Sequence, residues 1–393
     1  MEAFAADWLN LLIRWFHLVV GIGWIGASFY YIGLDVSLRK RERMNEGVSG
    51  TVWQVHGGGF YHVEKYLVAP KALPDDLVWF KWEAYLTFLS GFALLIVQYY
   101  WNAKAFLIDP KVMALASWQA IAISVAGLAA GWAVYDAVCR SPIGRNTALL
   151  AVTVFLMIVA ASWAFSHVFS GRGALIHVGA FVGTIMAANV FMIIVPNQRK
   201  IVAALIKGEA PDPKYGAIGK QRSVHNTYLT LPVLLMMVSN HYSMLTGHPQ
   251  AWAVVALILI VGGMVRHFMV RHEAGDPVAK IAWALGLAAL GLVGALWLTA
   301  PKTDPRLAGL AASDQDVIRI AAKHCTMCHA AKPRHEGFGE PPKGVMLETI
   351  EDIRRYAVLI DQQAVKSDVM PLGNETGMTD DERRTLGAWV ARQ

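Results

Sequence analysis

Eight stretches of the chain run with few charges among apolar residues, at about 8–32, 79–100, 114–138, 147–168, 174–196, 227–246, 251–270 and 281–300. A helix needs roughly 20 apolar residues to cross the hydrocarbon core of a bilayer. The pattern therefore predicts an all-α fold whose body is a polytopic membrane bundle of about eight transmembrane helices. After Ala300 the character changes: "PKTDPRLAGLAASDQDVI" reads as a proline-punctuated linker. The chain then divides into a body at 1–300, a linker at 301–312 and a small helical unit at 313–393. The last helix of that unit is announced by a capping box, Thr379 with Glu382, in "TDDERRTLGAWV".

Composition agrees with the pattern. Of 393 residues, 55% are hydrophobic and only 16% charged, where soluble domains carry about 25% charged residues. The 14 tryptophans and 12 tyrosines suit a protein with two membrane interfaces to anchor. The formal charge of +6 does not point to nucleic acid, because no basic stripe with interleaved aromatics accompanies it. The basic residues gather instead in alternate connections. Arg39, Lys40, Arg41, Arg43, Lys65 and Lys71 follow helix 1, and Arg140 and Arg145 follow helix 3. Arg199, Lys200, Lys207, Lys214, Lys220 and Arg222 follow helix 5, and Arg271 and Lys280 lie between helices 7 and 8. The intervening loops hold mainly Lys104, Lys111 and Arg172. Positive charge stays on the cytoplasmic side, so both termini are expected outside. "MEAFAADW" lacks the basic start of a cleaved signal, and helix 1 is expected to remain in place.

The 313–393 unit contains "KHCTMCHAAK", with Cys325, Cys328 and His329 in Cys-x-x-Cys-His order. A redox dithiol would sit in a thioredoxin-like βαβ context, which the surrounding pattern lacks. The other meaning is a c-type haem site: each thiol adds across one vinyl group, and the adjacent imidazole supplies an iron ligand. Met370, just before Pro371 in "SDVMPLGNETGM", is the expected sixth ligand. Met378 reads as a packing residue and His335 as a weaker candidate. Covalent haem is attached outside the cytoplasmic membrane in bacteria, which agrees with the charge count. Cys139, alone, reads as a small apolar residue.

Ionisable groups at membrane depth are costly and point to function. Helix 1 reads "LLIRWFHLVVGIGWIGASFYY", with Arg14 one turn before His17 and glycines at 21, 23 and 26. Small residues beside a histidine would let a flat macrocycle approach; the alternative is helix-on-helix packing. His167, His177, His241 and His248 reach the same outer level. His17, His177, His241 and His167 are therefore candidate iron ligands of a second, buried haem b, with Arg14 and Arg172 as candidate propionate partners. At the inner level stand Lys81, Glu83, Asp136, His225, Asn226, Thr227, Arg266 and His267. The connection "VWQVHGGGFYHVEKY" adds three glycines that could admit a ligand close to the backbone.

The segments "GIGWIGASFYYIGLD", "HGGGFYHVEKY", "WFKWEAYLTFLSG", "HNTYLTLPVLLMMVSNHY" and "MPLGNETGMTDDER" resemble the bacterial membrane-bound urate oxidase (urate hydroxylase) family, over essentially the whole chain. That family joins an eight-helix membrane domain to a C-terminal cytochrome c domain. The resemblance implies oxidation of urate to 5-hydroxyisourate, with electrons passing through a covalent haem c to the respiratory chain and without hydrogen peroxide. Cys325, Cys328, His329 and Met370 match its haem motifs. It also implies the bacterial inner membrane, with both termini and the cytochrome on the periplasmic side, and a soluble cytochrome or terminal oxidase as acceptor. Helix 1 is distantly similar to haem-binding membrane oxidases of protoporphyrinogen metabolism. Glu83, His225 and Lys65 are candidate proton-transfer residues. Two other classes stay open: a non-catalytic relay from quinol to cytochrome, and a transporter or sensor with a redox-active tail.

Overall fold

The computed structural model describes residues 2–66, 68, 70–74, 76–300, 310, 312–336 and 338–393. Most of the predicted linker, 301–309 and 311, thus lies outside the described residues. Helices stand at all eight expected places: α1 (Glu2–Ser37), α2 (Trp82–Leu95, continued by a π turn at Ile96–Tyr100), α3 (Ser117–Arg140) and α4 (Thr147–Ser166), then α5 (Gly171–Ile206), α6 (Pro213–Val238), α7 (Ala251–Glu273) and α8 (Val278–Thr299). Six of them, α1, α3, α4, α5, α7 and α8, are long and apolar enough to cross a membrane. The α-helical part of α2 ends after 14 residues. The first half of α6 carries Lys214, Lys220 and Arg222.

Two boundaries depart from the hydropathy pattern for local reasons. Helix α6 begins well before the predicted 227, because Asp212 caps it (side chain to the Lys214 amide, 2.9 Å) and Pro213 occupies its first turn. The segment 48–66 is not an open loop but a hairpin of β1 (Val48–His56) and β2 (Gly59–Tyr66), the one departure from an all-α body among the described residues. Its turn is Gly57–Gly58, both at positive φ (58° and 80°), the two-residue turn that suits strand twist. The β-branched and aromatic run "TVWQV" supplies the strand. The glycines thus serve the turn.

The body packs around α5. Two thirds of its apolar window is buried (67%), whereas α1 is covered over only 6% of its own. Leu175, Val178, Phe181, Val182 and Ile185 of α5 meet Leu128 of α3, Ile158 of α4, Met236 of α6 and Val255 of α7 in one core.

The basic connections share one end of the bundle. There Arg39 donates to the Ala274 carbonyl (2.9 Å), Gln221 to the Gly144 carbonyl (2.8 Å), and Lys65 and Lys220 both pair with Asp35. At the opposite end sits the C-terminal unit, built on α9 (Asp314–His324), α10 (Ile350–Arg355) and α11 (Asp380–Val390). Val317, Ile320, Leu347, Ile353, Met378, Leu386 and Trp389 form its own core. The Thr379–Glu382 capping box is present, and Ser313 with Asp316 makes a second one at α9. The unit rests on the body through Gln363 to Ser243 (3.1 Å) and Lys111 to Asp380 (3.2 Å).

Candidate functional site

In the C-terminal unit the polypeptide leaves α9 at Cys325, its C-cap. The tight turn that follows returns the His329 amide to the Cys325 carbonyl (2.8 Å), so both thiols and the imidazole come from about one turn. His329 Nδ1 donates to the Val345 carbonyl at 2.9 Å, which fixes the ring and leaves Nε2 for a metal. Burial pushes the Cys325 thiol up to about 12, and burial also raises Cys328. A redox dithiol needs the opposite, a thiol lowered at a helix N-terminus, and Cys325 follows a helix C-terminus instead. The set suits a covalently attached haem.

Met370 is partly exposed, while Met378 is 1% exposed inside the core. The Met370 backbone is held on both sides: its amide donates to Gln363 O (2.8 Å), and its carbonyl accepts from the buried Arg383 (2.8 Å). A methionine anchored by its backbone with its side chain left out of the core suits an iron ligand. His335 instead pairs with Glu375 (3.0 Å).

Within the body, polar side chains form two networks, each beside a π turn. π turns often mark functional sites because they widen a helix and redirect its side chains. Near the C-terminal unit, the Tyr100 hydroxyl meets Ser124 Oγ (2.6 Å), Ser124 meets His177 Nε2 (2.6 Å), and His177 Nδ1 faces the Gly173 carbonyl (2.6 Å). A carbonyl only accepts, so Nδ1 carries the proton and Nε2 accepts from Ser124. His177 is wholly buried among Phe165, Phe169 and Tyr99. As bonded, it has no nitrogen to offer an iron.

His17 differs. Its Nδ1 lies 2.9 Å from Ser90 Oγ, and that hydroxyl spends its hydrogen on the Leu86 carbonyl (2.6 Å). The His17 ring is therefore the donor, and Nε2 is its unprotonated nitrogen. His167, exposed at the end of α4, likewise faces the Trp163 carbonyl through Nδ1 (2.8 Å). His241 is exposed in the connection after α6. No hydrogen bond or ring contact joins any two of these four histidines. As bonded, His17 and His167 thus keep Nε2 clear of these hydrogen bonds, whereas both nitrogens of His177 are engaged. Arg14 donates to Asn10 (2.7 Å), while Arg172 keeps a buried Nε without a partner.

The second network lies toward the basic end, at the π turn Asn189–Ile194 of α5. Asn189, fully buried, donates to the Tyr135 hydroxyl and to Asn226 Oδ1 (both 3.0 Å), and Asn226 donates to the Met186 carbonyl (2.9 Å). With its oxygen accepting from Asn189, Tyr135 turns its own hydrogen to His225 Nδ1 (2.7 Å). Arg222 lies over the Tyr135 ring and reaches Asp136 (2.7 Å), which also holds Arg140 (2.6 Å).

Of the three proton-transfer candidates only His225 is part of this network. Lys65 is on β2, paired with Asp35, and Glu83 is in the first turn of α2 beside Gly23. No hydrogen bond or ion pair joins any two of the three. Sequence reasoning overlooked Asn189 and Tyr135, and counted Arg222 as a loop charge. The signal was there for Asn189, a lone amide inside "MAANVFMIIVP".

The geometry can be set beside known families. Residues 3–299 match the family model described as Urate oxidase N-terminal. None of the curated proteins and none of the solved structures compared with the chain matches it.

Proposed function

The chain belongs to the urate oxidase N-terminal family, and from that premise we propose that it oxidises urate to 5-hydroxyisourate in a membrane and passes the electrons outward through its C-terminal unit. The match over 3–299 carries the reading, because it covers the whole helical body. The Cys325–Cys328–His329 set in the unit docked on that body supports an electron outlet.

Urate gives up two electrons, water adds its oxygen to the purine, and two protons leave per neutral urate. The Tyr135–His225 pair, buried beside Asn189, can take and hold a proton, a role worth roughly 10²–10⁴-fold where it operates. Cys325 and Cys328 would hold a haem c, with His329 and Met370 as its iron ligands. That group would supply a one-electron acceptor. Arg383 positions Met370 by holding its carbonyl. We assign eight membrane spans, adding α2 and α6 to the six apolar ones. The body is 1–300, the linker 301–312 and the cytochrome c domain 313–393. The basic end faces the cytoplasm, the cytochrome domain faces the periplasm of a bacterial inner membrane, and a soluble cytochrome or terminal oxidase drains it.

Purified full-length protein, mixed with urate under anaerobic conditions, should show the absorption of reduced haem c and form 5-hydroxyisourate without hydrogen peroxide. A haem that urate leaves oxidised, but that a quinol reduces, would replace this reading with the relay.

A further inference from the structure

One buried cation in the body has no counter-charge within hydrogen-bond reach; the Glu273 carboxylate, two turns further along α7, acts on it only at longer range. Arg266 of α7 is fully buried, and Nε, Nη1 and Nη2 all lack a hydrogen-bond partner. Its guanidinium lies over the Phe29 ring of α1, 3.9 Å from the centroid. Burying an unpaired guanidinium is strongly unfavourable, and the cation–π contact offsets only part of that. Arg222, the other wholly buried arginine of the body, has Asp136. The sites differ in this one respect.

The fold holds Arg266 in place by backbone packing. Gly262 of α7 faces Pro232 inside α6, where a Cβ would come within 2.6 Å of the proline ring. One turn further along these antiparallel helices Arg266 comes level with Tyr228. Pro232 has no amide hydrogen, so the Tyr228 carbonyl one turn back loses its helical donor. The Tyr228 hydroxyl meets His267 Nδ1 at 3.0 Å. A cation with free donors, a carbonyl short of one and an aromatic ring thus gather between α1, α6 and α7.

We propose that Arg266 is the anion-binding residue for the substrate: a flat, singly charged heteroaromatic oxyanion, which is urate if the function above holds. The site lies in the part of α7 nearer the basic end, so the substrate enters from that end. The anion accepts from the guanidinium, and its N–H groups have the Tyr228 carbonyl to donate to. This rests on the urate reading and adds the residue that recognises the charge.

The test measures equilibrium binding of radiolabelled urate to anaerobic full-length protein, alongside haem content and thermal unfolding without urate. Arg266→Gln should weaken binding by roughly tenfold to a hundredfold, the value of a charge-assisted hydrogen bond. Its melting temperature should not fall, since the guanidinium makes no hydrogen bond that the variant would lose. Arg266→Lys, which keeps the charge, should recover part of the binding. Unchanged urate affinity in Arg266→Gln overturns this assignment and leaves the functional reading standing. A lowered melting temperature with lost binding overturns it in favour of a structural role. Loss of non-covalent haem from the variant overturns it in favour of a propionate. Failure of the unmutated protein to bind urate overturns both readings.

Discussion

The C-terminal unit and the helical body make chemistry in opposite ways. In the unit, the two thiols and the imidazole sit within five residues, Cys325 to His329, and one turn of chain brings them together; only Met370 comes from elsewhere. In the body, the Tyr135–Asn189–His225 network takes one residue from each of α3, α5 and α6, and the Arg266 site takes α1, α6 and α7. A site made locally survives a loosened fold, because its geometry is written in consecutive residues. A site made from distant helices exists only while they are packed. The difference teaches where each region is vulnerable: the unit to changes in side-chain chemistry, the body to changes in packing and charge pairing.

The most drastic way to break the local site is Cys325→Ser with Cys328→Ser. Covalently bound haem should vanish entirely from the denatured polypeptide on a haem-stained gel. A retained covalent band would mean that the motif is not the attachment point.

A smaller effect sharpens the contrast within the body. Asp136→Asn leaves Arg222 without its counter-charge, at a cost of about 3–5 kcal/mol for a buried pair broken on one side. The thermal unfolding temperature in detergent should fall for this variant and not for Arg266→Gln. An unchanged unfolding temperature in Asp136→Asn would show that Asp136 and Arg222 are not coupled as their 2.7 Å contact implies.

The smallest expected effect lies where the two regions meet. Burial raises the pKa of Asp109, and nearby Asp368 of the unit adds to the rise, although the Lys111 amide opposes it. A carboxyl whose folded pKa is raised contributes stability at low pH and loses it as pH climbs through that raised value. Asp380, lowered by its bond to Lys111, stays ionised over the same interval. Docking of the unit on the 107–111 segment should therefore tighten as pH falls from neutral toward about 4, the ordinary carboxyl value. Protection of the 107–111 amides, taken relative to their intrinsic exchange rate at each pH, should rise over that range, and Asp109→Asn should remove the rise.

The eight helical places were legible because hydropathy over twenty residues is a one-dimensional signal. The capping box at Thr379 was legible because it spans only four residues. The 57–58 turn was not, since three glycines in a row fit a ligand loop as well as a hairpin until the strands beside them are seen to pair. Nor was the start of α6, where Asp212 and Pro213 act against a polar sequence that hydropathy reads as a connection.

By itself the sequence determined the helical, apolar body, the basic connections on one side and the thiol–imidazole motif, all properties of neighbouring residues. Only the tertiary structure decided which polar groups meet: that His177 is already bonded at both nitrogens, that Arg222 has a hydrogen-bonded carboxylate, and that Arg266 has no hydrogen-bonded one. The reason is that a hydrogen bond reaches about 3 Å. Whether residues a hundred positions apart fall within that reach depends on how α5 and its neighbours pack, which no local pattern encodes.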